Sequence, residues 1–155
     1  MGDRTTSQSF RTIRRLSRSE AETVALATEF AASLSPGDWV GLIGPLGAGK
    51  SVFARALGRT WDVTRPMPSP TFTLMAVHQG RCPIYHMDFY RLASEGELDS
   101  AELLPYFSAS GICLVEWADR IRSVWPARGW TVTITPRGSD ERDITIAAFG
   151  AAEKT

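Results

Sequence analysis

Between residues 17 and 34, Val24, Leu26, Ala27, Phe30, Ala31 and Leu34 fall on one stripe at helical spacing. Ser19 and Glu22 stand in the capping-box relation before that stripe, and Pro36-Gly37 closes it, so the pattern predicts an amphipathic helix. Residues 38–44, DWVGLIG, form a short apolar run without alternation, as expected of a strand covered on both faces. A second helix is predicted over KSVFARALGR, residues 50–59. After the proline-punctuated stretch TRPMPSP, the runs TFTLMAVH (71–78) and CPIYHMD (82–88) flank the turn QGR and predict an antiparallel hairpin. ELDSAELLPYF (97–107) is helical in part, limited by Pro105. GICLVE (111–116) is another continuous strand, and ADRIRSVW (118–125) a short helix stopped by Pro126. WTVTITP (130–136) and RDITIAAF (142–149) alternate well around the polar turn RGSDE, which predicts a second hairpin.

Helices interleaved with buried and alternating strands define an α/β fold, a three-layer sandwich with a mixed central sheet and antiparallel hairpins. At 155 residues the chain is long enough for one domain with a full core and too short for two. The expected division is an arm or edge strand over 1–18, a single domain over 19–150 and a tail over 151–155. Acidic and basic residues balance at 17 each, so net charge points to neither nucleic acid nor a membrane surface. Arginines 4, 11, 14, 15 and 18 concentrate positive charge near the N-terminus, and a solvated terminus explains them better than a tRNA contact does. The two cysteines, Cys82 and Cys113, lie in apolar strands and read as buried reduced thiols. The N-terminus lacks the apolar core of a signal peptide and no apolar run is long enough to span a bilayer, so the expected location is the cytoplasm.

Three glycines fall within LIGPLGAGKS, residues 42–51, directly behind an apolar strand. Gly44 to Ser51 fit G-x-x-x-x-G-K-[S/T], the Walker A loop. Several backbone amides must approach phosphate oxygens together, and side chains on the loop would obstruct them. The helix that follows adds the partial positive charge of its N-terminus. Gly44, Leu46, Gly47, Ala48, Gly49, Lys50, Ser51 and Val52 are therefore expected to hold the nucleotide, ATP or ADP. Lys50 places its charge on the β- and γ-phosphates, and the Ser51 hydroxyl is placed to ligate Mg²⁺.

A P-loop of this kind needs acids at the ends of neighbouring strands. IYHMD ends in Asp88 and ICLVE in Glu116; strands parallel to the P-loop strand would carry both to the phosphate side. Asp88 suits the metal, through a bound water. Glu116 suits the orientation of water or general-base work in hydrolysis. Thr71, in the proline-bracketed SPTFT, stands where a nucleotide switch offers a hydroxyl to the metal or γ-phosphate. His86 shares a strand face with Asp88 and has two readings, a structural histidine or a partner of that carboxylate.

GPLGAGKS, SPTFTL, YHMDFYRL and VEWADRI, in this order and spacing, resemble the TsaE (YjeE-type) ATPases of bacterial tRNA threonylcarbamoyladenosine synthesis, and the resemblance covers nearly the whole chain. It implies a small P-loop fold that binds ATP or ADP with Mg²⁺. It also implies partnership with a TsaB–TsaD heterodimer, which ATP hydrolysis would reset between cycles, and contact with tRNA only through that complex. Carried over by position, Lys50, Thr71 and Glu116 are the catalytic residues, Ser51, Asp88 and Glu116 the metal-side residues, and Thr23 a threonine near the nucleotide base. The family's proline and glutamate after its Glu-Trp pair are replaced here by Ala118 and Asp119, a departure that bears on local shape. Tyr90 and Arg91 are candidates to contact TsaD or a neighbouring switch, and Trp117, beside Glu116, is the tryptophan nearest the chemistry.

Two other classes compete. A small-molecule or nucleoside kinase needs an acceptor pocket and an arginine-bearing lid, and the chain after Glu116 is short for one. A GTP switch needs an N/T-K-x-D base motif, which is missing: the only lysines are Lys50 and Lys154.

Overall fold

The computed structural model describes residues 12–100, 102–107 and 110–150. The predicted arm up to residue 11, with Arg4 and Arg11, and the tail 151–155 lie outside the described residues. The elements run β1 (Thr12–Ser17), α1 (Glu20–Ala31), β2 (Trp39–Ile43), α2 (Lys50–Thr60), β3 (Met75–Gln79), β4 (Pro83–Asp88), α3 (Glu95–Ser100), β5 (Ile112–Glu116), β6 (Gly129–Arg137) and β7 (Glu141–Phe149). Two 3₁₀ segments, Leu104–Phe107 and Ala118–Val124, flank β5.

The strands form one mixed sheet ordered β1-β7-β6-β2-β5-β4-β3. The P-loop strand β2 lies in the middle, parallel to β6 on one side and β5 on the other, with β4 parallel beyond β5. Both predicted hairpins are present and antiparallel, β3–β4 and β6–β7, and β1 closes the far edge against β7. Register places Asp88 directly beside Glu116, and Glu116 beside Leu42 of the P-loop strand. Parallel pairing thus brings three strand ends, and the loop after β2, to one edge.

Two apolar layers enclose the sheet. On one face Leu26, Ala27 and Phe30 of α1 and Phe53, Ala54 and Leu57 of α2 pack on Val40, Leu42, Ile84, Leu114, Val132 and Ile146. On the other, Leu98 and Phe107 with Ala118 and Ile121 pack on Trp39, Met87, Cys113 and Val115. Fully burying one such side chain contributes about 1.5–3 kcal/mol, so these layers dominate the stability. The α1 cap forms as expected on one side, Ser19 Oγ accepting from the Glu22 amide at 3.1 Å. The reciprocal arm differs: the Glu22 carboxylate accepts from the Arg18 amide, one residue earlier than the box requires.

Three local expectations change. The strand expected from Thr71 begins only at Met75, because residues 71–73 form a turn closed by the Leu74 amide on the Pro70 carbonyl at 3.0 Å. The segment 118–125 is not one helix: two 3₁₀ turns meet at Ile121, whose backbone leaves the helical region. Cys113 is buried, and burial raises its thiol pKa, but Cys82 is only half-buried. Both cysteines are free.

Candidate functional site

The loop between β2 and α2 is shaped by backbone demands that only glycine meets. A Cβ on Gly44 would come within 2.5 Å of the Ile134 carbonyl oxygen on β6. Gly49, at the N-cap of α2, has φ +110°, a left-handed conformation that side chains disfavour. No side chain caps α2 there, so the first-turn amides of Lys50, Ser51 and Val52 face outward with the positive end of the helix dipole. A Cβ on Gly47 or Gly49 would meet nothing within 4 Å, so the space beside the loop is open.

Lys50 lies inside this loop, its ammonium donating to the carbonyls of Gly44 at 2.6 Å and Pro45 at 2.9 Å. Burial lowers its pKa, opposed by the charges of Glu116, Asp88 and Asp119. The Trp117 ring covers it, with the ammonium 4.0 Å from the ring centroid. Trp117 itself takes left-handed φ and ψ of 57° and 38°, a sharp turn directly after the β5 carboxylate. Tyr90 packs on the outer side of that ring at 4.8 Å, and the Arg120 guanidinium lies over Tyr90. Ala118, where the family pattern has proline, is fully buried, and a Cβ on Gly41 of β2 would reach its methyl at 2.8 Å. Asp119 is exposed beside it.

Beside the loop, Lys50, His86, Asp88 and Glu116 form a buried charged and polar cluster, each at most 5 % exposed. Glu116 accepts from Ser51 Oγ at 3.2 Å on one oxygen and meets His86 Nε2 at 2.6 Å with the other. Burial alone would raise the Glu116 pKa; the hydrogen bonds from His86 and the Ser51 hydroxyl outweigh it and hold the group below its ordinary value. Asp88 accepts from Ser69 Oγ at 3.0 Å and from the Tyr90 amide at 2.9 Å.

Several expected residues therefore meet: Lys50, Ser51, Asp88 and Glu116 converge at the strand ends as their parallel register requires. Of the two readings of His86, the bond to Asp88 is not formed: His86 bonds Glu116, which the neighbouring parallel strand brings diagonally across. Thr71 lies half-buried in its turn and makes no hydrogen bond to another described residue; two positions earlier, Ser69 is the hydroxyl that reaches the acids. Arg91 reaches back to the same segment, its guanidinium 5.5 Å from the Phe72 ring.

A cavity of about 470 Å³ adjoins the other flank of the loop, between the start of α1 and the β6–β7 turn. Thr23 and Val52 line it with Gly47, Ala48 and Gly49. Thr23 is fixed there by a 2.7 Å hydrogen bond to Ser17 Oγ at the end of β1. Leu46, at the loop tip, is 86 % exposed and outside this lining. Arg142, on the cavity wall, donates to the Ala48 carbonyl at 3.0 Å and ties the loop to the closing hairpin. Ser69 opens the SPTFTL motif but that motif singles out Thr71 as its hydroxyl, and no sequence signal marks Arg142, which stands in no spacing with meaning of its own.

A glycine-rich turn between a central parallel strand and an uncapped helix, with two acids on adjacent strand ends, defines a P-loop NTPase-like α/β protein. The family model described as "Threonylcarbamoyl adenosine biosynthesis protein TsaE" matches residues 17–144, and the chain belongs to that TsaE family. It is 42% identical over 130 residues to the tRNA threonylcarbamoyladenosine biosynthesis protein TsaE of Bacillus subtilis, covering 83% of this chain and 81% of that one. It is 36% identical to the protein of the same name from Treponema pallidum, covering 87% of this chain and all of that one. The crystal structure of YdiB from Bacillus subtilis superposes with a TM-score of 0.76 at 35% identity, over 92% of this chain and 89% of that one. Among the described residues no helix is long and apolar enough to cross a membrane.

Proposed function

We propose that this chain binds ATP with Mg²⁺ and hydrolyses it as an accessory subunit of the bacterial tRNA threonylcarbamoyladenosine complex. Hydrolysis resets a TsaB–TsaD heterodimer between rounds of transfer, in the cytoplasm, and tRNA is met only through that complex. The names of the relatives supply the pathway. The single observation that carries the chemistry is Glu116, a buried carboxylate hydrogen-bonded to the P-loop Ser51 on one oxygen and to His86 on the other.

The residues fit the implied groups. Hydroxyl and carboxylate oxygens from Ser51, Asp88 and Glu116 are the hard donors magnesium takes, and such sites complete their coordination with water and phosphate oxygens. The open glycine loop and the uncapped amides of α2 fit a chain of phosphates. Magnesium, when bound, would offset the negative charge that builds on the phosphate oxygens. Lys50 supplies a positive charge to the β- and γ-phosphates, and the loop amides hold them in place. Glu116, ionised by its neighbours, orients water and takes its proton. Asp88, held by Ser69 and the Tyr90 amide, stands on the metal side through water. Thr71 enters from its turn when the γ-phosphate draws the 69–74 segment inward. Thr23 and Val52 line the side toward the nucleoside.

The test is Glu116→Gln in the assembled complex. Affinity for a fluorescent ATP analogue should stay within a few-fold, while single-turnover hydrolysis slows by about 100-fold or more, the scale of a lost general base. Capture of the chain by TsaB–TsaD should depend on ATP. Normal hydrolysis by the variant, or phosphorylation of a nucleoside by the isolated chain, would overturn the assignment.

A further inference from the structure

The chain has two histidines, and His86 is 1 % exposed at the centre of the charged cluster. Its Nε2 meets Glu116 Oε2 at 2.6 Å, whereas its Nδ1 is buried without a hydrogen-bond partner. Across the hairpin, His78 Nε2 is likewise buried without one, and the two rings lie 5.8 Å apart. A proton on Nδ1 would be a buried donor with no acceptor, so the ring proton belongs to Nε2, where it is shared with the carboxylate. A carboxylate is free to rotate about its last bond. Here one oxygen is pinned by His86 on β4 and the other by Ser51 on α2, two elements held in place by a shared apolar layer and by sheet register.

We propose that His86 is the positioning residue for Glu116: as the Nε2–H tautomer it fixes the carboxylate plane so that the oxygen shared with Ser51 faces the phosphate side. The inference rests on the hydrolytic reading of Glu116 given above. The geometry gives His86 no contact with the P-loop backbone, so its contribution falls on the chemical step and leaves nucleotide affinity to the loop. Asp88, two residues along the same face, accepts from Ser69 and the Tyr90 amide, and His86 bonds Glu116 instead of it.

Two measurements test this. A long-range ¹H–¹⁵N correlation spectrum of the nucleotide-free protein, with only two histidines to assign, should show His86 protonated on Nε2 and bare on Nδ1. His86→Leu should then bind a fluorescent ATP analogue within about 3-fold of the native chain and hydrolyse ATP about 10- to 100-fold more slowly, the scale of a misplaced catalytic group. His86→Gln, whose side-chain amide can stand in for Nε2–H, should recover most of that loss. An Nδ1-protonated tautomer, an unchanged rate in His86→Leu, or equal losses of binding and rate in both variants would each overturn the proposal. If His86→Leu does not fold, the tautomer and the Gln variant decide. Should Glu116→Gln hydrolyse normally, the reading of Glu116 fails instead, whatever His86 does.

Discussion

The two halves of the sheet solve opposite problems. On the β7–β6–β1 flank, buried positions alternate mostly with half-buried ones: Val132, Ile134, Ile144 and Ile146 turn inward and meet α1 and α2. Its only buried polar pair among the described residues, Ser17 with Thr23, satisfies itself in a single hydrogen bond. The β2–β5–β4 half is apolar along most of its length and then ends in Lys50, His86, Asp88 and Glu116, all buried. Burying charge costs free energy unless it is compensated, and each of these four makes at least one hydrogen bond. The flank is held by apolar packing, and the strand ends hold charges in a geometry that packing alone would not select.

Substitutions can separate the halves. The largest effect on stability should come from the flank: Ile146→Ala removes a fully buried side chain and should cost about 2–5 kcal/mol by denaturant unfolding, while affinity per folded molecule stays unchanged. Lys50→Ala should do the reverse. Nucleotide affinity should fall by roughly 100-fold in calorimetric titration, equivalent to about 2.7 kcal/mol, with unfolding stability little reduced because Lys50 is held charged against its burial. Comparable losses of stability from both would dissolve the contrast.

A smaller effect concerns acid. The folded pKa of Glu116 lies below its ordinary 4.5, so its contribution to stability is complete above that value and disappears as pH falls through the folded pKa. Unfolding midpoints measured below pH 4.5 should therefore decline less steeply for Glu116→Gln than for the native chain. The smallest effect belongs to the exposed pair Arg137–Asp143 on the β6–β7 hairpin, where Asp143→Ala should cost less than about 1 kcal/mol and lose even that in high salt. A larger loss would mean that the flank, too, depends on charge.

Legibility in the sequence followed the same division. Hairpins, the P-loop strand and both main helices were readable because each is set by a local period or a cap. The P-loop and its acids were readable because phosphate chemistry dictates residue type and spacing. Where the reading failed, a local signal had been overruled from a distance. TFT reads as strand by propensity but turns, since the Pro70 carbonyl takes the Leu74 amide and Ser69 is drawn to Asp88. His86 reads as a neighbour of Asp88 along its own strand, and only β5 alongside shows the shorter diagonal to Glu116. Arg142 lies far along the chain from Ala48, and no local pattern foretells that contact.

By itself the sequence determined which backbone elements form and which residue types the loop must carry, because glycine freedom, helix caps and hydrophobic periods act over a few residues. Only the tertiary structure decided which carboxylate each hydroxyl and imidazole would hold. That choice follows from strand register, and a diagonal across two parallel strands is a distance that no spacing along one chain encodes.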